Sequence, residues 1–129
     1  MADKLNFSLV SPERELFSGE VDQVDLPGAE GDLGLFPNHS PLMAAIRTGT
    51  ITVLADGVET KFFVQGGFAD VMPTGLTVLA ERASTLADVD RIDIEAQIAS
   101  VEAKLADLTG DAAFTAHQDL EGLRAVLNG

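Results

Sequence analysis

The chain has 129 residues and a formal net charge of −13, from 21 acidic and eight basic side chains. The basic residues are few and scattered, so they form no cationic stripe that could release counterions from phosphate, and nucleic acid is excluded as an expected partner. The absence of cysteine excludes disulfides and thiolate metal sites. No segment approaches the ~18 apolar residues of a membrane span, and residues 1–5 lack signal-peptide features, so we expect a soluble protein on the cytoplasmic side without membrane insertion.

Residues 5–80 consist of short β-like segments separated by turn residues. Asp56-Gly57 predicts a hairpin because both residues tolerate positive φ, whereas Gly66-Gly67 and Pro73-Thr74-Gly75 indicate further breaks. The predicted segments are 6–10, 14–17, 21–26, 50–54, 58–64, 68–72 and 76–80. Their density and spacing are typical of an antiparallel β-sandwich.

The composition changes after residue 82, where proline disappears and Ala, Leu, Asp and Glu dominate. Asp90 is placed to cap a first helix, and Gly110-Asp111 supplies a stop and a new cap for a second. Each predicted helix carries one apolar stripe. The stripes are Ile94, Ile98, Val101, Leu105 and Leu108 on the first helix, and Ala113, Ala116, Leu120, Leu123 and Leu127 on the second. We therefore predict an α+β fold, with a β-sandwich domain over residues 1–87 and an antiparallel helical hairpin over residues 88–129.

Residues that could support catalysis are scarce. The chain has two histidines, His39 and His117, and neither has a second histidine at metal-ligand spacing. His39 lies in an Asn-His-Ser-Pro turn, where hydrogen bonding to neighbouring backbone is favoured over catalysis, although a hydrolase that uses His39 with Ser40 or a nearby acid stays open as an alternative. His117 flanks the second apolar stripe. We expect no catalytic residue, no cofactor and no metal site.

The segment 27–41 combines glycines, acids and prolines with His39. Its glycines at positions 28, 31 and 34 lack the strand-turn-helix context of a dinucleotide site, and a bulged hairpin explains them better. Glu30 and Asp32 are different, because acids at a glycine-supported loop tip have no burial reason to be there. They are free to meet a cation, with a solvated loop as an equal alternative.

Several motifs in register are similar to one known family. Phe-Ser-Gly at 17–19 precedes the segment 27–42, and Gly-Gly-Phe-Ala-Asp-Val at 66–71 is followed by Thr-Val-Leu-Ala at 77–80. Together with the terminal helix pair, this order resembles the epsilon subunit of bacterial F-type ATP synthase over essentially the whole chain. The resemblance implies a sandwich of about ten strands, no active site of its own, and a place in the central stalk between the gamma subunit and the c-ring.

The resemblance also assigns expected contacts to individual residues. Glu30, Gly31 and Asp32 fall in the loop that faces the c-ring, where negative charge suits the basic residue usual in the c-subunit loop. His39 falls nearer the gamma contact. A rotor part of this kind helps couple proton translocation to ATP synthesis, as a peripheral protein on the cytoplasmic face of the bacterial inner membrane.

The helical half departs from the family pattern. Some members bind ATP through Ile-Asp-x-x-Arg-Ala, but Ile92-Asp93 is followed here by Ala96-Gln97, so the phosphate-binding Arg is lost and weak or absent ATP binding is expected. Members that inhibit ATP hydrolysis extend the hairpin into the alpha/beta head. From residue 88 onward nine acidic and three basic residues give a net charge of −6, and the second helix ends at Gly129. We therefore expect weak inhibition and a hairpin that usually stays folded on the sandwich.

One alternative from another class is a free-standing ligand-binding sandwich, for a sugar for example, with the helix pair as a dimerisation device. Few aromatic residues are available to stack on sugar rings, which disfavours this alternative. Copurification with a membrane complex, as against a discrete soluble oligomer, separates the two hypotheses.

Overall fold

The computed structural model describes residues 4–128, with only the backbone described at residue 128. Within this range the chain forms eight strands, then a 3₁₀ turn at Leu86–Asp88 and two helices, α1 (Arg91–Leu105) and α2 (Gly110–Asn128). The strands are β1 (Leu5–Val10), β2 (Glu15–Val21), β3 (Gln23–Gly28), β4 (Gly31–Leu35), β5 (Leu42–Ile46), β6 (Gly49–Ala55), β7 (Val58–Met72) and β8 (Gly75–Thr85). The predicted end of the second helix at Gly129 lies outside the described residues.

The described part of the chain has eight strands, slightly fewer than the about ten that the resemblance implies, and two of these strands are longer than the sequence suggests. β7 runs for 15 residues and β8 for 11. The break expected at Gly66-Gly67 lies within β7, where the two glycines take φ angles of 71° and 128°. β5 and β6 pair with β7 in one continuous register on either side of this point and are interrupted at Arg47-Thr48. We call this line, Arg47-Thr48 beside Gly66-Gly67, the bend.

The strands form one hydrogen-bonded sheet with the order β2-β1-β8-β7-β5-β3-β4, and β6 joins β3 to β7. The pairs are antiparallel, as predicted, except that β1 and β8 run parallel. Alternate side chains of each strand point inward and build the sandwich core. Its fully buried members include Leu5, Phe7, Leu9, Val24, Ile51, Val53, Val71 and Val78. Burying one side chain of this size contributes about 1.5–3 kcal/mol, so this core holds the sandwich together.

The ends of both helices follow local sequence signals. Asp90 caps α1, as predicted, because its carboxylate accepts hydrogen bonds from the amides of Ile92 at 2.9 Å and Asp93 at 3.4 Å. Gly110 takes a φ of 59°, which agrees with its predicted role as a stop. It begins α2 itself, one residue before the predicted cap at Asp111. The turn between the helices is therefore short, and the helices form a hairpin.

The helical hairpin packs on the outside of the sandwich over Phe63. The neighbours of Phe63 in β7, Phe62 and Val64, point into the main core, while Phe63 points the other way and packs with Ile94 and Leu123. The predicted apolar stripes face this contact. Their buried members are Ile94 on α1 and Ala116, Leu120 and Leu123 on α2. The hairpin thus has a small core that depends on the sandwich beneath it.

Candidate functional site

The segment with glycines and acids forms the hairpin between β3 and β4. Gly28 pairs with Gly31 at its closed end, and Glu30 lies at the tip. A Cβ on Gly28 would lie 2.4 Å from the carbonyl oxygen of Gly31, so a residue without a side chain is required there. We call residues 28–32 the acidic turn. Its tip is exposed, as expected from the sequence.

Arg47 holds the acidic turn from the neighbouring strand line. Its guanidinium donates to the carbonyl oxygen of Gly28 and to Oδ1 of Asp32, both at 2.6 Å, and its backbone amide donates to the carbonyl of Pro27 at 2.9 Å. Asp32 is therefore ion-paired within the chain, although the sequence suggested that it is free to meet a cation. Glu30 is exposed and makes no hydrogen bond or ion pair within residues 4–128. Of the two acids, Glu30 is the uncompensated charge.

Arg47 is a residue of this site that the sequence patterns do not indicate, since the basic residues are scattered along the chain. No local pattern indicates the contact, since Arg47 and Asp32 lie 15 residues apart and meet only through the pairing of β3 with its neighbours. The one available signal is that Arg47 follows an apolar strand directly.

Helix α2 reaches the same end of the sandwich. The side-chain amide of Gln118 donates to the carbonyl oxygen of Ala29, in the acidic turn, at 2.8 Å. The hydroxyl of Thr48, a buried residue at the bend, donates to the carboxylate of Asp119 at 2.9 Å. The helical hairpin is therefore docked on the sandwich by polar contacts as well as by the apolar cluster around Phe63.

The outer face of β5, β7 and β8 beyond the bend carries large apolar side chains around one acid, Asp70. Phe68 lies opposite Leu79, and Met43 lies opposite Asp70, so the four side chains point to the same side of the sheet as that of Met72. Met43 is 66% exposed, Phe68 and Leu79 are 57% exposed, and Met72 is 48% exposed. We call Met43, Phe68, Met72 and Leu79 the apolar face. Grouped exposed apolar side chains of this kind are typical of interaction sites.

The apolar face has a signal in the sequence of β7. In β7 the buried residues Ala69 and Val71 alternate with Phe68, Asp70 and Met72. A strand with one buried face places every second residue outside, so Phe68 and Met72 are large apolar residues on an outer face. The apolar face adjoins the acidic turn, since Met43 and the turn line the same surface depression.

The histidines show no catalytic arrangement in the described residues. Nδ1 of His39 lies 2.8 Å from the backbone carbonyl oxygen of Ser40, so the ring nitrogen carries the proton and the Ser40 hydroxyl is not its partner. This contact is the local backbone bond expected from the turn. His117 is exposed on α2. The part of the chain that the structure describes contains no cluster of acids and histidines suited to a metal ion, and none of its helices combines the length and apolar character needed to cross a bilayer.

The altered ATP motif lies on the first turns of α1, where its polar side chains bond to each other. Asp93 accepts from the side-chain amide of Gln97 at 2.8 Å and pairs with the guanidinium of Arg82 at 3.3 Å. Ile92 is 79% exposed, and Ala96 is also exposed. The guanidinium that contacts this stretch thus comes from β8, not from the motif position, and it is already paired with a carboxylate.

The sandwich matches the family model of the beta-sandwich domain of the ATP synthase Delta/Epsilon chain over residues 4–85. The chain belongs to the ATP synthase delta/epsilon chain family. An ATP synthase epsilon chain from Maricaulis maris is 62% identical over 90 residues, which cover 70% of this chain and 68% of that one. Another from Hyphomonas neptunium is 50% identical over 133 aligned positions that cover 98% of both chains.

Two solved structures share the fold of this epsilon-type chain. The mitochondrial ATP synthase of Euglena gracilis, described as OSCP/F1/c-ring, contains a chain with a TM-score of 0.77 and 16% identity, with coverage of 99% of this chain and 82% of that chain. The mitochondrial ATP synthase central stalk/c-ring structure from Tetrahymena thermophila contains a chain with a TM-score of 0.65 and 13% identity, with coverage of 96% of this chain and 96% of that chain. The predicted family is therefore confirmed by the family model and the relatives, and the two solved structures show the same fold.

Proposed function

We propose that this chain joins the gamma subunit to the c-ring in the rotor of a bacterial F-type ATP synthase, at the cytoplasmic face of the inner membrane. In that position it transmits rotation and so couples proton translocation to ATP synthesis. The observation that carries the proposal is the pair of adjoining surfaces on one sandwich, the acidic turn and the apolar face. A subunit wedged between two rotor parts needs two such surfaces held rigidly together.

The acidic turn is the proposed contact with the c-ring. Glu30 is exposed and uncompensated, whereas Asp32 is neutralised by Arg47. Glu30 is therefore the charge available to attract a basic side chain in a polar loop of the ring. Opposite charges across an interface chiefly steer association and set its orientation. Asp32 has the supporting role of keeping the turn in position.

The apolar face is the proposed contact with the gamma subunit. Its four large side chains are about half exposed or more, and covering them with a partner removes apolar area from water. Phe68 is central, since it lies in β7 between β5 and β8. His39 is also proposed to contact the gamma subunit. It lies in the turn that leads into β5, one of the strands that carry the apolar face.

The helical hairpin is proposed to stay docked and to inhibit ATP hydrolysis weakly. Three features support this: the apolar cluster around Phe63, the hydrogen bonds that Gln118 donates to the sandwich and Asp119 accepts from it, and the net charge of −6 from residue 88 onward. Weak or absent ATP binding is proposed on the same helices, since Asp93 and Gln97 are bonded within the chain and the motif has no arginine of its own.

A pull-down from detergent-solubilised membranes tests these assignments. The tagged chain is expected to recover gamma and c subunits with little inhibition of ATPase activity. Phe68→Asp is expected to weaken gamma recovery by about 30-fold, because it places a charge in an apolar contact. Val58→Asp, at a 63% exposed valine in the β6–β7 hairpin, is the matched control and is expected to bind normally.

Salt dependence tests the charge assignment. Glu30→Gln is expected to weaken c-ring association by about two- to fivefold at low salt and to have little effect at high salt. Glu59→Gln, at an exposed acid on β7, is the control. Equal effects of the two variants contradict the role of Glu30. Recovery of no ATP synthase component contradicts the proposed function as a whole and favours the ligand-binding alternative.

A further inference from the structure

Gly122 lets α2 lie directly on the backbone at the bend. It is in the interior of the helix, where glycine is unfavourable by about 0.8–1.0 kcal/mol relative to alanine. A Cβ at this position would lie 2.1 Å from the carbonyl oxygen of Thr48. Gln118 and Asp119 lie one turn earlier on the same side of α2, so three residues of one helical face contact the sandwich. The close approach explains a glycine that helix propensity opposes.

These contacts continue into the acidic turn. Three successive carbonyls lead into the turn, and each accepts a hydrogen bond from outside it. Those of Pro27 and Gly28 accept from Arg47, and that of Ala29 accepts from Gln118 of α2. Arg47 is also the chain neighbour of Thr48, on which Gly122 rests. Release of the hairpin therefore removes the hydrogen-bond donor of the Ala29 carbonyl. It also uncovers the backbone of Thr48, next to Arg47, which donates to the other two carbonyls.

We propose that docking of the helical hairpin and the conformation of the acidic turn are thermodynamically coupled through Gln118 and Arg47-Thr48. The two states are defined by their contacts. The docked state has the Gln118–Ala29 and Thr48–Asp119 hydrogen bonds and the Gly122 contact, and the released state has none of them. Coupling between sites is reciprocal, so a turn held in its docked conformation favours a docked hairpin to the same extent.

The coupling gives the proposed rotor contact a regulatory consequence. If the acidic turn is occupied by the c-ring, as proposed above, the ring helps to keep the hairpin on the sandwich. If the turn is free, release of the hairpin becomes easier. This consequence rests on the proposed function, whereas the coupling itself is a property of the isolated chain.

Amide hydrogen exchange of the full-length chain tests the coupling. Gly122→Leu forces α2 away from Thr48, and we expect faster exchange in α2 together with roughly fivefold faster exchange in residues 28–33, the factor that corresponds to one net hydrogen bond. Ala99→Leu enlarges an exposed position on α1 and is the matched control. Exchange in β1 is expected to stay unchanged and reports any general unfolding.

Two further variants leave helix packing unchanged. They test the coupling in its two directions, from the hairpin to the turn and from the turn to the hairpin. Gln118→Met keeps the side-chain length, removes the bond to Ala29, and is expected to raise exchange in the turn. Arg47→Met loosens the turn and is expected to raise exchange in α2, whereas Arg14→Met, at an exposed arginine, leaves α2 unchanged. If Gly122→Leu also accelerates exchange in β1, these two variants decide the question.

Three results overturn the coupling. One is faster exchange in α2 of Gly122→Leu with an unchanged acidic turn. Another is unchanged exchange in α2 of that variant, which refutes the close contact. The third is an unchanged turn in Gln118→Met together with an unchanged α2 in Arg47→Met. Failure of the chain to bind the rotor, with the exchange coupling intact, overturns the proposed function and leaves the coupling standing.

Discussion

Replacing Gly122 with alanine has two opposing effects on the free energy of unfolding. Alanine is favoured over glycine in a helix interior by about 0.8–1.0 kcal/mol, so α2 considered alone is stabilised. In the docked chain the new Cβ would lie 2.1 Å from the carbonyl oxygen of Thr48 and 2.7 Å from its carbonyl carbon. Because a real Cβ essentially never approaches within 3.0 Å, α2 has to move by about 0.9 Å, the difference between 3.0 and 2.1 Å.

A shift of this size acts on the two hydrogen bonds beside the contact. Thr48–Asp119 and Gln118–Ala29 start at 2.9 and 2.8 Å, so an added 0.9 Å takes them beyond hydrogen-bond range if the neighbours do not follow. Each bond contributes about 0.5–1.5 kcal/mol, or about 1–3 kcal/mol together. Subtracting the helix gain leaves a net loss of up to about 2 kcal/mol for docking. Packing is therefore expected to outweigh propensity.

Urea unfolding and limited proteolysis within α2 provide the assay. Gly122→Ala is expected to unfold at lower urea and to be cut faster in α2. Ala125→Gly, at an exposed position three residues further along, measures propensity alone and is expected to lose about 1 kcal/mol. If Gly122→Ala raises the free energy of unfolding by about 1 kcal/mol, α2 does not rest on Thr48 and the reasoning is refuted.

Two other predictions concern the hairpin core and the N-terminal ion pairs. Phe63→Ala is expected to lower the free energy of unfolding by about 3–5 kcal/mol, whereas Phe114→Ala, at a 63% exposed position, changes it by less than about 0.5 kcal/mol; equal losses contradict the role of Phe63. Hydrogen bonds from Lys4 and from the amide of Asp56 lower the pKa of Asp22, so this carboxylate stabilises the fold above its ordinary value of 3.8, and the contribution is lost as the pH falls through the lower folded value. Bonds to Asp22 and then Asp56 raise the pKa of Lys4, so its contribution is present below 10.5 and is lost as the pH rises through the higher folded value. Asp22→Asn is expected to flatten both limbs of the stability curve, measured by urea unfolding against pH, and an unchanged acid limb contradicts this.

Local signals predicted the elements of this fold well. Asp56, at a φ of 51°, and Gly57 form the predicted hairpin turn between β6 and β7, and Asp90 caps α1. The break predicted at Gly66-Gly67 was wrong, because local and tertiary signals differ there. Gly66-Gly67 is a typical turn sequence, yet β8 pairs with β7 on both sides of it, while β6 pairs with β7 before it and β5 after it. The strand bends at the two glycines, which take positive φ angles, and continues without a break.

The site was only partly predictable for the same physical reason. Glu30 lies at an exposed tip because the hairpin and its glycines are local features. Asp32 is ion-paired with Arg47, which strand pairing brings close to it. No spacing along the sequence reveals this contact. The family resemblance placed both acids in the same loop but did not separate their roles. That separation needs the distance from the guanidinium to each carboxylate.

Gly122 shows how a local inconsistency can still point to a tertiary contact. A glycine inside an otherwise favourable helix is unexplained by helix propensity, and natural sequences tend to agree across levels except where structure or function requires otherwise. The requirement here is the backbone of Thr48. A helix that never packed on the sandwich would not need a glycine at this position. Gly122 is therefore evidence that the sequence specifically encodes the docked arrangement.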